Sequence, residues 1–230
     1  MGHIMKRLVC ILILFIFALP AYALDSALRN HAFNAPHHLN SSTHSLTSYL
    51  IKPCKDDYER LYVIAYWIAS HISYDEYKYN NGKINDKAMA YKGDILKEQA
   101  GICQDFAQLF ADMANIAGVR NVKVVHGYVL ENQVTIKKFY RQKDMPKTGH
   151  AWNSAEIKGR KFYIDTTFMS GNRITPTHNH ANNLKHKLDL NKNGRSKEVY
   201  TDVNDTFFDF TPKEEIKKVR MIHLQQKFIK

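Results

Sequence analysis

The chain has 230 residues, a formal net charge of +11 at pH 7 and 44% hydrophobic residues, enough apolar material for one ordinary domain and too little length for two full ones. The basic balance does not by itself indicate a nucleic-acid partner, and none is expected, because the lysines are spread through the chain instead of gathering on one helix with interleaved aromatics. Three cysteines exclude a disulfide-dense secreted scaffold.

Lys6 and Arg7 precede an apolar run from Leu8 to Leu19, then Pro20 and the small-residue site Ala21-Tyr22-Ala23. Residues 1–23 therefore read as a signal peptide cleaved after Ala23, and the product as a secreted or periplasmic protein. The run is too short for a comfortable membrane span of about 20 residues, so no stable span is expected after cleavage. Cys10 leaves with it, which makes a Cys54–Cys103 disulfide the competing use of the two remaining thiols.

Residues 24–54 read as a polar leader with a first helical segment. From Asp25 to Ser48 the sequence is rich in His, Asn and Ser with little periodicity, which predicts a mobile stretch. Its histidines, His31, His37, His38 and His44, match no standard zinc spacing, and no metal is expected.

Residues 55–230 are then one domain, with a loop insertion around 169–204. Its first helix is predicted from Asp56-Asp57 to about Tyr74, with Leu61, Ile64, Ala65, Ile68 and Ile72 at helical spacing and Trp67 as a core anchor. Asn80-Asn81-Gly82 marks a turn, and a short helical piece over Asp94 to Gln99 leads to the break at Gly101. Beyond it, Cys103, Phe106, Ala107, Phe110, Ala114 and Ala117 fall on one stripe of an amphipathic helix that Gly118 closes. Cys103 thus sits in the first turn, where unpaired backbone N–H groups and the positive end of the helix dipole favour a thiolate.

After Gly118 the period changes, and Val122 to Val129 is β-branched and partly alternating, as a strand requires. Two further strands, His150 to Ile157 and Arg160 to Asp165, flank Lys158-Gly159, which reads as a two-residue hairpin turn. With Ile157 facing Arg160, His150 opposes Thr167 and shares a sheet face with its diagonal neighbour Asp165. A three-residue turn would put them on opposite faces. His178, His180 and His186 lie in the expected loop with no carboxylate or cysteine at ligand spacing. Phe207 to Phe210 suits an edge strand, and Thr211-Pro212-Lys213-Glu214-Glu215 suits the start of a short basic C-terminal helix.

Cys103, His150 and Asp165 are the candidate catalytic residues. A thiol near its free pKa of about 8.5 needs an adjacent imidazole to react at neutral pH, and the imidazole needs a carboxylate to fix its tautomer and stabilise its charged form. The Cys103 backbone N–H is the natural first oxyanion donor; Gln99 and Tyr91 are the candidates for a second, ahead of Trp67, whose place helical periodicity already explains.

The segments Gly101-Ile102-Cys103-Gln104-Asp105-Phe106-Ala107, Gly127-Tyr128, Gly149-His150-Ala151-Trp152 and Tyr163-Ile164-Asp165-Thr166-Thr167-Phe168 together resemble the transglutaminase-like superfamily of papain-fold cysteine enzymes, in particular an exported bacterial branch. The likeness spans roughly Asp56 to Ser170, and Phe207 to Pro212 is similar to a segment that follows the core in one branch. It implies an α+β fold of the papain-like, transglutaminase-core type, with the nucleophile at the N-terminus of a buried helix packed on an antiparallel sheet. Animal transglutaminases carry Gln-Cys-Trp where this chain has Ile102-Cys103-Gln104, which weakens a crosslinking role. The expectation is an exported cysteine hydrolase, a peptidase or an amidase or deamidase, acting on amide bonds of a protein or peptide at the cell surface or envelope, with no cofactor. A transglutaminase forming isopeptide crosslinks and a non-catalytic binding module are the alternatives.

Overall fold

The computed structural model describes residues 26–75, 95–129, 148–170, 173–174, 203–210 and 221–223. Its central element is helix α3 (Asp57–His71), preceded by helical residues 26–33 (α1), a 3-10 turn over His37–Ser41 and helix α2 (Thr43–Leu50). Asp56 caps α3 by accepting the Glu59 N–H at 2.9 Å, while Glu59 reaches back to the Lys55 N–H at 2.6 Å, so orphan donors at the helix start are met by carboxylates. From Leu61 to His71 nearly every residue of α3 is buried, as suits a helix enclosed on all sides. It ends at Ile72, which is already extended, so Ser73–Asp75 forms strand β1 where the sequence predicts the helix continuing to Tyr74.

A single helical turn, α4 (Ile95–Glu98), and the two-residue strand β2 (Ala100–Gly101) lead into helix α5 (Cys103–Ile116). Phe106, Leu109, Phe110, Met113 and Ala114 of α5 join the main core, and each large side chain so buried contributes roughly 1.5–3 kcal/mol. The expected stripe is therefore the buried one.

Strands β3 (Lys123–Val129), β4 (Thr148–Ile157) and β5 (Arg160–Ile164) form an antiparallel sheet, extended at its edges by β7 (Phe208–Phe210) beside β5 and β8 (Met221–His223) beside β3. The β4–β5 register pairs Ile157 with Arg160. The two turn residues, Lys158 and Gly159, both have positive φ, 52° and 77°, which is the conformation of a tight hairpin whose twist matches its strands. Helix α5 packs across β4, with the Asn153 amide donating to the Ala107 carbonyl at 2.9 Å. A second, parallel sheet of β2, β1 and β6 (Arg173–Ile174) lies beside the start of α5, with Tyr74 opposite Gly101. Helices and an antiparallel sheet thus share one core, and the fold is α+β with the Cys103 helix packed on the sheet, as expected.

Several expectations need correction. The stretch from Asp25 to Ser48 is not a loose leader within its described part: Leu28, Ala32, Leu46 and Leu50 are buried in the main core, and Arg29 forms an ion pair with Asp205. Its apolar residues are few but fall on faces that α3 and α5 cover. His31 is likewise held, stacked on Tyr49 at 4.4 Å and hydrogen-bonded to the Tyr49 carbonyl at 3.0 Å. Residues 221–223, expected in a C-terminal helix, are strand, because the open edge of β3 supplies backbone partners that outweigh local helix signals. Of the expected insertion, Arg173–Ile174 is strand and 203–204 pack near the end of helix α6 (Thr166–Met169), whose Met169 carbonyl accepts the Asn204 N–H at 2.8 Å. The signal segment, Tyr91, Asn80-Asn81-Gly82, His178, His180, His186 and Thr211 to Glu215 lie outside the described residues. Among the described residues, no helix is long and apolar enough to cross a membrane.

Candidate active site

Cys103 owes its position to its neighbours Gly101, Ile102 and Asp105. Gly101 sits so close to α5 that a Cβ there would lie 2.8 Å from the Asp105 Cβ and 3.0 Å from the Ile95 Cδ1, a separation only glycine avoids. Ile102 has no acceptor in its side chain, so only the reciprocal half of a capping box forms: the buried Asp105 carboxylate accepts the Ile102 N–H at 2.9 Å. Cys103 follows as the first residue of a helix of 14 residues and is 3% exposed. It packs with Ala107, Ala151 and Tyr74.

His150 enters from the start of β4. Its Nε2 lies 2.7 Å from Asp165 Oδ2, with the two side chains 6% and 1% exposed. Asp165 follows the last residue of β5 and is the cap of α6; its other oxygen accepts the Phe168 N–H at 3.0 Å, and its own N–H donates to the Phe207 carbonyl at 2.9 Å. Both carboxylate oxygens are therefore committed, which fixes the imidazole they hold. The ring also stacks with Phe168 and Trp152, with centroids at 4.7 and 5.8 Å and near-parallel planes.

Burial opposes a charge on His150. The Asp165 carboxylate and its hydrogen bond, followed by the hydrogen bond and charge of Cys103, outweigh it and raise the imidazole pKa from 6.5 to about 10. With Nε2 directed at Asp165, Nδ1 is the ring atom left for the thiol. The structure thus brings Cys103, His150 and Asp165 together, and the arrangement favours the charged form of His150.

Gln99, the described oxyanion candidate, is buried four positions before Cys103 in the left-handed region, φ 49°. Its backbone turns the chain from α4 into β2, donating to the Ile95 carbonyl at 2.8 Å and accepting the Ser73 N–H at 2.9 Å. Trp67 is fully buried and stacked on His71 at 4.6 Å. Cys54 and Cys103 are both free thiols, so the disulfide considered for them is absent. Burial, and next to it the nearby Glu59 carboxylate, push the Cys54 thiol up to about 12, leaving it inert.

Sequence reasoning missed four neighbours. Tyr74 reaches Cys103 through the parallel pairing of β1 with β2. Phe168 follows from Asp165 acting as a helix cap, because a cap and its third following residue are close. Gln104 and His126 face each other at 2.7 Å from Oε1 to Nε2; no periodicity announces them. A separate cleft of about 440 Å³, lined by Asp56, Arg60, Gly118, Arg120, Glu156 and Lys158 among others, lies at the far end of α5 and shares no residue with Cys103, His150 or Asp165. Among the described residues, no group of three or more His, Cys, Asp or Glu could hold a metal ion.

The family model for the transglutaminase-like superfamily matches residues 44–165, just over half of the chain. The mouse (Mus musculus) and human (Homo sapiens) proteins named kyphoscoliosis peptidase are each 33% identical to it, over 136 and 134 residues. Those alignments cover 58% and 57% of this chain but only 19% of each relative, so the chain corresponds to about a fifth of their length. Two solved structures are similar at lower identity. One is described as a TGase, with 16% identity, TM-score 0.41, and coverage of 62% of this chain and 34% of that one. The other, from Cytophaga hutchinsonii and provisionally assigned as a cysteine protease, has 19% identity, TM-score 0.40, and coverage of 59% and 40%. On the match that spans the cysteine helix, the His150 strand and Asp165, the chain belongs to the transglutaminase-like superfamily, whose members are usually cysteine-dependent enzymes.

Proposed function

We propose that the protein is a cysteine hydrolase that cleaves amide bonds of proteins or peptides through a thioester on Cys103. The observation that carries this is the buried His150–Asp165 pair, 2.7 Å apart, whose imidazole also interacts with Cys103. Cys103 Sγ, as thiolate, attacks the carbonyl carbon, and the backbone N–H groups at the start of α5 stabilise the oxyanion. The imidazolium gives its proton to the nitrogen as the C–N bond breaks. Neutral His150 then takes a proton from water, hydroxide attacks the thioester, and the acid leaves as the thiolate is restored. Asp165 orients the ring throughout and remains ionised. In a transglutaminase an amine replaces the water, with the same three residues.

The test begins with iodoacetamide alkylation of Cys103 as a function of pH, in the intact protein and in His150→Ala. The reading requires a thiol that reacts at and below neutral pH and loses this reactivity in the variant. An unreactive Cys103, or an unchanged apparent pKa after removal of His150, overturns it. Mass spectrometry of peptide cleavage, amide release and amine incorporation on glutamine-containing peptides then separates peptidase, deamidase and crosslinker. The same reading places the protein outside the cytoplasm, on the basic, apolar and small-residue order of residues 1–23. N-terminal sequencing of the exported protein is expected to begin at Leu24, and an intact Met1 or Met5 refutes export by cleavage.

A further inference from the structure

Gln104 immediately follows Cys103, and His126 lies on β3 directly opposite Ala151, which packs against Cys103 and precedes Trp152. The pair therefore lies next to Cys103 along the helix and one strand across from Ala151, and it is open to solvent: His126 is exposed and Gln104 partly so. Resting on the cysteine-hydrolase reading above, we propose that Gln104 and His126 form a paired hydrogen-bonding station that binds the main-chain amide of a polypeptide next to the carbonyl attacked by Cys103.

The chemistry of the pair supports this. Their mutual hydrogen bond of 2.7 Å uses one acceptor and one donor. If the carboxamide oxygen accepts from the imidazole, Gln104 keeps its amide N–H groups as donors and His126 keeps Nδ1 as an acceptor. If the carboxamide is turned and donates instead, Gln104 keeps its oxygen as acceptor and His126 keeps an Nδ1–H donor. Either way the neutral pair presents one kind of donor and one acceptor, which is the complement of a peptide group. Neutrality matters, because an imidazolium offers donors only; burial moves the His126 pKa below 6.5, so the ring is neutral at physiological pH. The mutual bond also holds two otherwise mobile side chains, lowering the ordering cost of binding.

The test compares two reagents with the same chloromethyl ketone group: chloroacetone, which has no amide, and N-acetyl-dipeptidyl chloromethyl ketones ending in Ala, Gln or Phe. Cys103 alkylation rates are measured in the intact protein, in Gln104→Met and His126→Phe, and in the double variant. The intact protein is expected to react faster with at least one peptidyl reagent than with chloroacetone. Each single variant should lower that peptidyl rate about five- to tenfold, the scale of a lost hydrogen bond in binding, while leaving the chloroacetone rate unchanged. The double variant should lose no more than a single one, because the pair acts as a unit. A peptidyl advantage absent from the intact protein, or retained in either variant, overturns the proposal. So does a changed chloroacetone rate, which would mean that the pair acts on the thiol itself. A chloroacetone rate that does not depend on His150 refutes instead the underlying reading of the site.

Discussion

Asp165 and Asp209 are two carboxylates with similar partners and opposite consequences. Asp165 faces the imidazole of His150 at 2.7 Å and accepts the Phe168 N–H at 3.0 Å. Asp209, on the edge strand β7 next to β5, accepts two bonds from the Arg160 guanidinium at 2.7 and 2.8 Å and one from the Tyr58 hydroxyl at 2.8 Å. The difference is solvent. His150 and Asp165 are 6% and 1% exposed, whereas Arg160 and Asp209 are 54% and 17% exposed. Charges 4 Å apart interact by about 1 kcal/mol in water and several times more when water is excluded. The buried pair can therefore hold a charged imidazole against Cys103, while the exposed pair chiefly pins an edge strand to the body of the sheet. Even the backbone differs: Asp209 takes a left-handed conformation, φ 60°, to turn its carboxylate onto both partners.

The largest expected effect separates the two pairs by function. On the proposed mechanism, replacing His150 with Ala removes the general base and acid together, and amide hydrolysis should fall roughly 10²- to 10⁴-fold. Asp209→Asn should leave turnover within about twofold, because its partners are remote from Cys103. Steady-state assays on any cleaved peptide check both values, and a comparable loss in both variants would erase the distinction. Stability comes next. Asp165→Ala leaves a buried imidazole without its partner and α6 without its cap, so unfolding in urea should show a loss of about 3 kcal/mol or more.

That contrast was only partly visible in the sequence. The hairpin behind His150 and Asp165 could be read because a two-residue turn at Lys158-Gly159 fixes the register from Ile157 and Arg160 to Asn153 and Ile164, but the expected pairing of His150 with Thr167 does not form, because Thr166–Met169 is helix and Asp165 meets His150 as the cap of that helix. Cys103 could be read because Gly101 and the apolar spacing beyond it fix a helix start. Arg160, Tyr58 and Asp209 could not: they come from three separate elements, and β7 is only three residues long. Gln104 and His126 are hidden for the same reason, as polar residues 22 positions apart with no period to join them. A helical segment was expected in residues 24–54 but its packing into the core was missed, because Leu28, Ala32, Leu46 and Leu50 are sparse among His, Asn and Ser and are buried as part of the main core.

The pH dependence sharpens the buried side of the comparison. His150 has a folded-state pKa raised from 6.5 to about 10, so its pairing contributes full stability below about 6.5 and loses it progressively as the pH rises towards 10. Asp165→Asn removes the carboxylate charge that causes most of the upward shift. The stability difference between the intact protein and Asp165→Asn should therefore shrink as pH rises through that window, in melts recorded at matched ionic strength. A difference that stays constant or grows between pH 6.5 and 10 contradicts the assigned pairing.

The smallest effect belongs to Arg160→Ala. Its two hydrogen bonds to Asp209 have good geometry, and its guanidinium also lies over the Phe162 ring at 4.7 Å. An exposed pair nonetheless contributes only about 0–1 kcal/mol, because water already solvates both partners and salt screens what remains. The melting midpoint should fall by a few degrees at low salt, and the gap should narrow as salt is added. Cys103 alkylation should be unchanged at either salt concentration. A large, salt-independent loss of stability would mean that Arg160 acts through its stacking on Phe162 and Tyr58 more than through its charge, and a slowed alkylation would mean that β7 helps to hold Asp165, whose backbone N–H bonds to Phe207 immediately before that strand.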